Sequence, residues 1–400
     1  MNLLPGMAEL QPQVSAWRRD IHAHPELGFR EVRTSALIQK ELRAMGLEVI
    51  TNFCEADTAV IGVLKGKQPG PVIGLRADID ALPMQDEKDE SVPYRSQNPG
   101  VCHACGHDSH TAALLGTALW FSQNRDKVRG TVKFVFQPAE EGPAPGGAKK
   151  IMESGILSDV NYMLGAHQTT SVPPGVIMTR SGVVTASGDF FDIVIEGTGA
   201  HGASPHCGTD VVVAASQTVV ALQSIVSRRL DPMQPAVLSV CSMQAGEPGT
   251  KNVLPAKATL SGTVRTFDET VREEIFALME QTVQSVCAIY GCTGTLDRQP
   301  MFPSLSNNEE VAQVVLAAAR EVVGEQNTFV IPQPSTGSED FAWYARSIPA
   351  AFYMFGARPA EGPVYSGHHP KFDLNEDALP VTMSVMAASA IKLMQQHKEK

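Results

Sequence analysis

The chain has 400 residues, 43% of them hydrophobic and 19% charged, with a formal net charge of −11. That length is expected to fold as two domains with ample cores, and the acidic balance argues against a nucleic-acid partner, which would favour a basic patch. Seven scattered cysteines argue against a disulfide framework and for reduced thiols in a cytoplasm; no secretory signal opens the chain, and no apolar run is seen to reach the roughly 18 residues of a membrane span.

Taken in order, "VRTSALIQKELRAMG" has helical periodicity and stops on Gly46. "PVIGLRAD", "TVKFVFQPAEE" and "YMLGAHQ" are short β-rich runs, and "DSHTAALLGTALWFSQN" between the first two is helical. Strands alternating with helices predict a largely parallel sheet, whose ligands bind beyond the carboxyl ends of the strands. Those ends carry Asp78 and Asp80, Glu140 and Glu141, and His167. Residues 184–298 read differently: four strands and two long helices predict an α+β layer. It is inserted into a first domain made of 1–183 and 299–400, which resumes with "NEEVAQVVLAAAREVVG" and the strand "AAFYMFGA".

The densest chemistry is "VCHACGHDSH", residues 101–110, with two cysteines and three histidines. A redox CxxC pair lacks a thioredoxin-like context, and a closed zinc knuckle lacks a second pair. The remaining reading takes Cys105 and His107 as ligands at a helix start, completed by Glu and His from strand ends. Mixed S, N and O donors suit zinc and tolerate manganese, cobalt or nickel.

With "HPELGF", "LRADIDALP", "HACGHDSHTA", "FQPAEEG", "GTGAHGASPH", "NVLPAKATLSGTVRTFD", "GSEDFAWY" and "HHPKFDLNE", the chain resembles the M20 metallopeptidases almost end to end. It is most similar to their amidohydrolase branch of hippurate, N-acyl-amino-acid and auxin-conjugate hydrolases. The resemblance implies a zinc-peptidase-like catalytic domain with an inserted dimerisation or lid domain, and two divalent ions per subunit. Cys105 would bridge them, with His107, Glu141, His167 and His368 completing the set. Neighbouring side chains in an extended segment point to opposite sides. The two therefore should not share one role; by the resemblance Glu141 would bind metal, and Glu140 resembles the general base. Asp80 corresponds to a carboxylate that supports a ligand. His201 resembles an oxyanion donor reaching a partner subunit's site, Asn252 a second donor, and Arg265 a contact for the substrate carboxylate.

These parallels imply hydrolysis of an N-acyl amino acid or similar conjugate by a cytoplasmic homodimer or higher homo-oligomer, with no nucleic acid or membrane involved. A dipeptidase or carboxypeptidase is the alternative within the family, and a binding protein without chemistry the alternative outside it. Two departures stand out. "AHQTTSVPP" replaces the family's "LHxxP" after His167, and "GHHP" offers His369 beside His368. His22, His24, His110 and Cys102 read as structural, and Asp78 as a turn or sheet-edge residue.

Overall fold

The structure, a computed structural model, describes residues 1–397. In chain order, helices α1 (Gln11–Ala23) and α2 (Val32–Ala44) precede strands β1 (Glu48–Ile50), β2 (Val60–Lys65) and β3 (Gln68–Asp78). Helix α3 (His107–Gln123), strand β4 (Arg129–Gln137), helix α4 (Gly147–Glu153) and strands β5 (Tyr162–Thr169) and β6 (Ile177–Thr179) follow. The middle holds β7 (Gly182–Thr185), β8 (Gly188–Glu196), β9 (Ala200–His201), α5 (Val211–Ser224) and β10 (Ala236–Ala245). It continues with β11 (Val253–Leu254), β12 (Lys257–Thr266), α6 (Glu269–Ile289) and β13 (Thr293–Phe302). Last come β14 (Leu305–Asn307), α7 (Glu309–Val323), β15 (Thr328–Val330), α8 (Ala342–Ala345), β16 (Ala350–Gly356) and α9 (Ala378–Gln396).

Two compact units result. The first takes residues up to Val184, Ser306–Gln333 and everything from Asp340; the second takes Thr185–Leu305 and Pro334–Glu339. The second unit thus runs past 298, because β13 continues to Phe302, and it also gathers a short piece from 334–339.

The first unit is built on a sheet ordered β1-β2-β4-β3-β5-β16-β6-β15. Its centre is parallel: β3 pairs with β4 and β5, and β5 with β16. The expected mostly parallel core is therefore present, with antiparallel β1–β2–β4 pairing on one side. Strand β3 is buried on both faces from Leu75 to Asp78, which is why "GLRAD" reads as a nearly continuous run. Helix α3 is apolar around its whole circumference and lies inside the core, touching α1 and α9. A helix buried this way delivers its N-terminus, with His107, to the protein interior.

The second unit is a sheet ordered β10-β12-β8-β13, antiparallel throughout, with α5 and α6 packed on it. Its strands alternate buried and open positions, as in Lys257–Thr266, and this is the α+β layer the sequence predicts. Asp210 and Asp268 cap α5 and α6 by accepting from backbone amides two and three residues on, each cap contributing about 1 kcal/mol. The buried Arg272 grips Asp189 through two bonds of 2.7 and 2.8 Å.

One expectation is corrected. Val211–Arg229 and Ala378–Gln396 are both long and apolar enough to cross a membrane by length and composition. The missed signal is that small and hydroxylated residues interrupt both runs while the mean hydropathy stays high enough for a span. Most of Ala378–Gln396 is buried in the first unit's core, which accounts for its apolar character. Val211–Arg229 packs one face on the second unit's sheet and α6.

Candidate metal centre

The carboxyl ends of β3, β4 and β5 and the start of α3 converge within the first unit. Gly106 makes this geometry accessible. Its φ is +84°, and an added Cβ would lie 2.8 Å from Gln168 Cγ, so only glycine turns the chain here into α3. Cys105 and His107 flank it.

Two groups of donors share one sulfur. The ligand atoms of Cys105, His107 and His167 lie within 4.8 Å of one another, and so do those of Cys105, Glu141 and His368. His167 Nε2 is 3.3 Å from Cys105 Sγ, and His368 Nε2 is 3.0 Å from Glu141 Oε1. His167 Nδ1 donates to the Gln168 carbonyl at 2.6 Å, which leaves Nε2 bare toward the sulfur. Burial lowers His167 to about 3, so it is the neutral imidazole a metal needs.

His107 is held from behind. Its Nδ1 is 3.0 Å from the Asp80 carbonyl and 3.2 Å from Asp80 Oδ1, while Asp80 Oδ2 accepts from Glu141 N at 2.9 Å. One carboxylate thereby contacts two candidate ligands, His107 and Glu141. His107 Nε2 is buried and has no hydrogen-bond partner among the described residues. Glu140, also buried, places Oε2 4.0 Å from that nitrogen.

The charges show what the cluster lacks. Burial pushes the Cys105 thiol up. Burial opposes a charge on His107, yet Asp78, Cys105 and Asp80 outweigh it and raise its pKa. Hydrogen bonds to Cys105 and Glu141 raise His368 to about 10. Protons on these rings supply positive charge among acceptors, and divalent cations supply more of it at the same points. One thiol, three imidazoles and a carboxylate in two triads, with an orphaned buried ring nitrogen, fit two divalent ions.

His369 turns away from this cluster. Its ring stacks on Tyr365 at 4.2 Å, and its Nδ1 accepts from Lys371 N. Cys102 groups instead with His22 and Asp86, and burial raises its thiol to about 12, the opposite of a reactive redox cysteine.

The remaining sequence candidates lie in the second unit. His201 and Asn252 are neighbours on the β9–β11 ribbon, where Val253 pairs with His201 and Gly202 N donates to the Asn252 carbonyl at 2.7 Å. Arg265 is half-buried on β12, its guanidinium 5.8 Å from the Phe190 ring centroid. Among the described residues no carboxylate forms an ion pair with it.

Sequence reading missed three supporting groups. Asp78 is no edge residue. It bonds His110 Nδ1 at 2.6 Å and Arg76 at 2.8 Å, and Arg76 reaches Asp340 at 2.7 Å. His110 Nε2 in turn accepts from Gln168 N, which fixes the backbone beside His167. The second group is Arg18, treated below.

The third is Glu31, buried behind the Glu140–Glu141 segment. Ala139 adopts φ +54°, a left-handed conformation that costs an L-residue roughly 1–2 kcal/mol. Glu31 Oε1 accepts from Ala139 N at 2.9 Å and Oε2 from Thr58 Oγ1 at 2.6 Å. Burial, then the charge of Asp80, raises Glu31 from 4.5 to about 7. The folded chain therefore binds the extra proton between those values. This contribution is complete below the unfolded pKa and is lost as pH climbs to the folded one, a change on the order of 3 kcal/mol. Gln keeps the shape, accepting from Ala139 and donating to Thr58. Glu31→Gln is expected to flatten the fall in unfolding free energy from about pH 5 to 7 and to exceed the wild type at about pH 8. Urea denaturation across that range measures it; an unchanged slope contradicts the assignment.

The sequence matches the family described as Peptidase family M20/M25/M40 over residues 74–392. The chain belongs to this family. Among M20 relatives, N-acetylcysteine deacetylase of Bacillus subtilis is 39% identical over 94% of this chain and 96% of its own. Thermostable carboxypeptidase 2 of Saccharolobus solfataricus is 38% identical over 96% of each. The crystal structure of the Bacillus subtilis YXEP protein, described as a dinuclear metal binding peptidase from M20 family, superposes with a TM-score of 0.83 at 35% identity, covering 98% of this chain and 99% of that one. The M20 fold expected from the motifs is borne out.

Proposed function

We propose that this chain is a metal-dependent amidohydrolase that cleaves the amide bond of N-acyl amino acids or similar small conjugates. The observation that carries the reading is the pair of donor triads sharing Cys105, with Glu140 beside them. Cys105, His107 and His167 would hold one ion, and Cys105, Glu141 and His368 the other. Zinc or manganese suits the donors, with cobalt and nickel tolerated. The chemistry that ions bound there would supply is a more acidic water and a polarised scissile carbonyl.

The chain's own residues do the rest. Glu140 takes the proton of the attacking water and returns it to the leaving amine. Asp80 keeps His107 and Glu141 aimed. His201 and Asn252 donate to the developing oxyanion, His201 acting in the site of a second copy of the chain within a homodimer. Arg265, which forms no ion pair among the described residues, receives the substrate carboxylate. Seven free cysteines accord with a cytoplasmic enzyme.

A carboxypeptidase or dipeptidase shares this chemistry, and the carboxypeptidase relative gives that second reading weight. A panel of N-acetyl and N-benzoyl amino acids and dipeptides, followed by amine release, separates them. The account expects chelator-sensitive release from the N-acyl amino acids, at a kcat/KM at least tenfold above that for dipeptides. Preference for dipeptides moves the assignment to the peptidase, and no release from any member refutes hydrolysis of this substrate class.

A further inference from the structure

Helix α1 buries Val14, Trp17, Arg18, Ile21 and His22 on one face. A fully buried guanidinium persists only where carboxylates surround it. Arg18 has three. Its Nε donates to Asp108 Oδ2 at 2.7 Å, its Nη2 to Asp373 Oδ1 at 2.7 Å, and its Nη1 to Glu376 Oε1 at 3.4 Å. His22 Nδ1 adds a second contact to Asp108 Oδ2 at 2.8 Å.

Two of these carboxylates belong to the segments that carry candidate ligands. Asp108 follows His107 in the first turn of α3. With Asp80 against His107 on one side and Arg18 and His22 against Asp108 on another, that turn cannot rotate about the helix axis. Asp373 lies five residues after His368 on an irregular segment. His368 itself has φ +67°, a strained conformation for a residue with a side chain, which endures only when its surroundings fix it. The segment is fixed at both ends and in the middle. His368 N donates to the Ala104 carbonyl at 2.8 Å, beside Cys105, and Glu87 N to the Pro370 carbonyl at 2.9 Å. Asp373 meets Arg18 and the Tyr94 hydroxyl, the latter at 2.8 Å.

We infer that Arg18 is a positioning residue for the metal centre, holding the His107 turn through Asp108 and the His368 segment through Asp373. Arg18 touches no candidate ligand and acts only through these carboxylates. The inference rests on the two-ion reading above. It explains why a buried cation sits on a helix that contributes nothing to the donor set: one rigid fork keeps two ligands, far apart in sequence, in register.

The test measures the affinity of each Mn²⁺ ion for the full-length protein by equilibrium dialysis, alongside the melting temperature of the stripped protein. Arg18→Lys keeps the charge but loses the fork, and is expected to weaken both ions. Asp373→Asn keeps the shape and releases only the His368 segment. It is expected to weaken one ion by about 10–100-fold while the other stays within a few-fold. Val315→Ala, in the core of α7, sets the scale for a loss of melting temperature with unchanged ion affinity. Wild-type affinities for both ions in Arg18→Lys and Asp373→Asn overturn the positioning role, whatever their melting temperatures. Should Arg18→Lys not fold, Asp373→Asn alone decides, since its side chain is partly exposed. A wild type that binds no ions overturns the metal reading first and this inference with it.

Discussion

Replacing Glu140 with glutamine is expected to lower kcat by about 10²–10⁴-fold while two ions stay bound. The carboxylate is buried and lies 4.0 Å from His107 Nε2, close enough to the donor cluster to serve a water there and too far to be hydrogen-bonded to that ring. Gln preserves volume and most polar contacts, so folding and ion content are expected to remain. What it removes is the ability to accept a proton. Turnover and metal content, measured on the same preparation, separate this role from ligation. Loss of an ion would make Glu140 a ligand, and turnover near that of the wild type would remove it from the mechanism.

Cys105→Ala has the second large effect, on binding rather than on proton transfer. Both triads lose their common donor, so each is reduced to two protein ligands: His107 and His167, or Glu141 and His368. The residue is small and nearly buried, and its truncation costs the fold little beside the loss of a metal site. Metal content is expected to fall from two ions per chain to below one at micromolar metal. Turnover is expected to fall at least about 10³-fold, equivalent to roughly 4 kcal/mol of barrier. Elemental analysis of the dialysed variant checks it. Retention of two ions would show that Cys105 is not shared.

Four of the five donors were legible because each sits at the end of a recognisable element, whereas His368, on an irregular segment, was carried by the resemblance alone. Asp80, Glu141 and His167 end strand runs, and Cys105 and His107 open an apolar helix, so elementary α/β topology brings them to one edge. What holds them was harder to read. The Asp78–His110 bond spans 32 residues and the Arg76–Asp340 pair 264, and no local pattern marks contacts of that range. Arg18 and His22 were a different case. They fall on the same helical stripe as Val14, Trp17 and Ile21, so periodicity alone places two polar groups in the core and asks for their partners. The resemblance already selected His368 over His369, and the geometry adds what holds the second ring aside, its stacking on Tyr365. The piece at 334–339 that joins the second unit had no signal in composition, because its assignment depends on pairing such as Thr185 with Ser335 rather than on its own residues.

The central claim is that amide hydrolysis by this chain depends on two ions gathered around Cys105. Its most direct test titrates Mn²⁺ or Zn²⁺ into the stripped protein while following amine release from an N-acyl amino acid. The account predicts no release at the start, then a rise that levels off at two ions per chain. Full release in the presence of chelator, or a protein that holds two ions and releases nothing across the substrate panel, would contradict it.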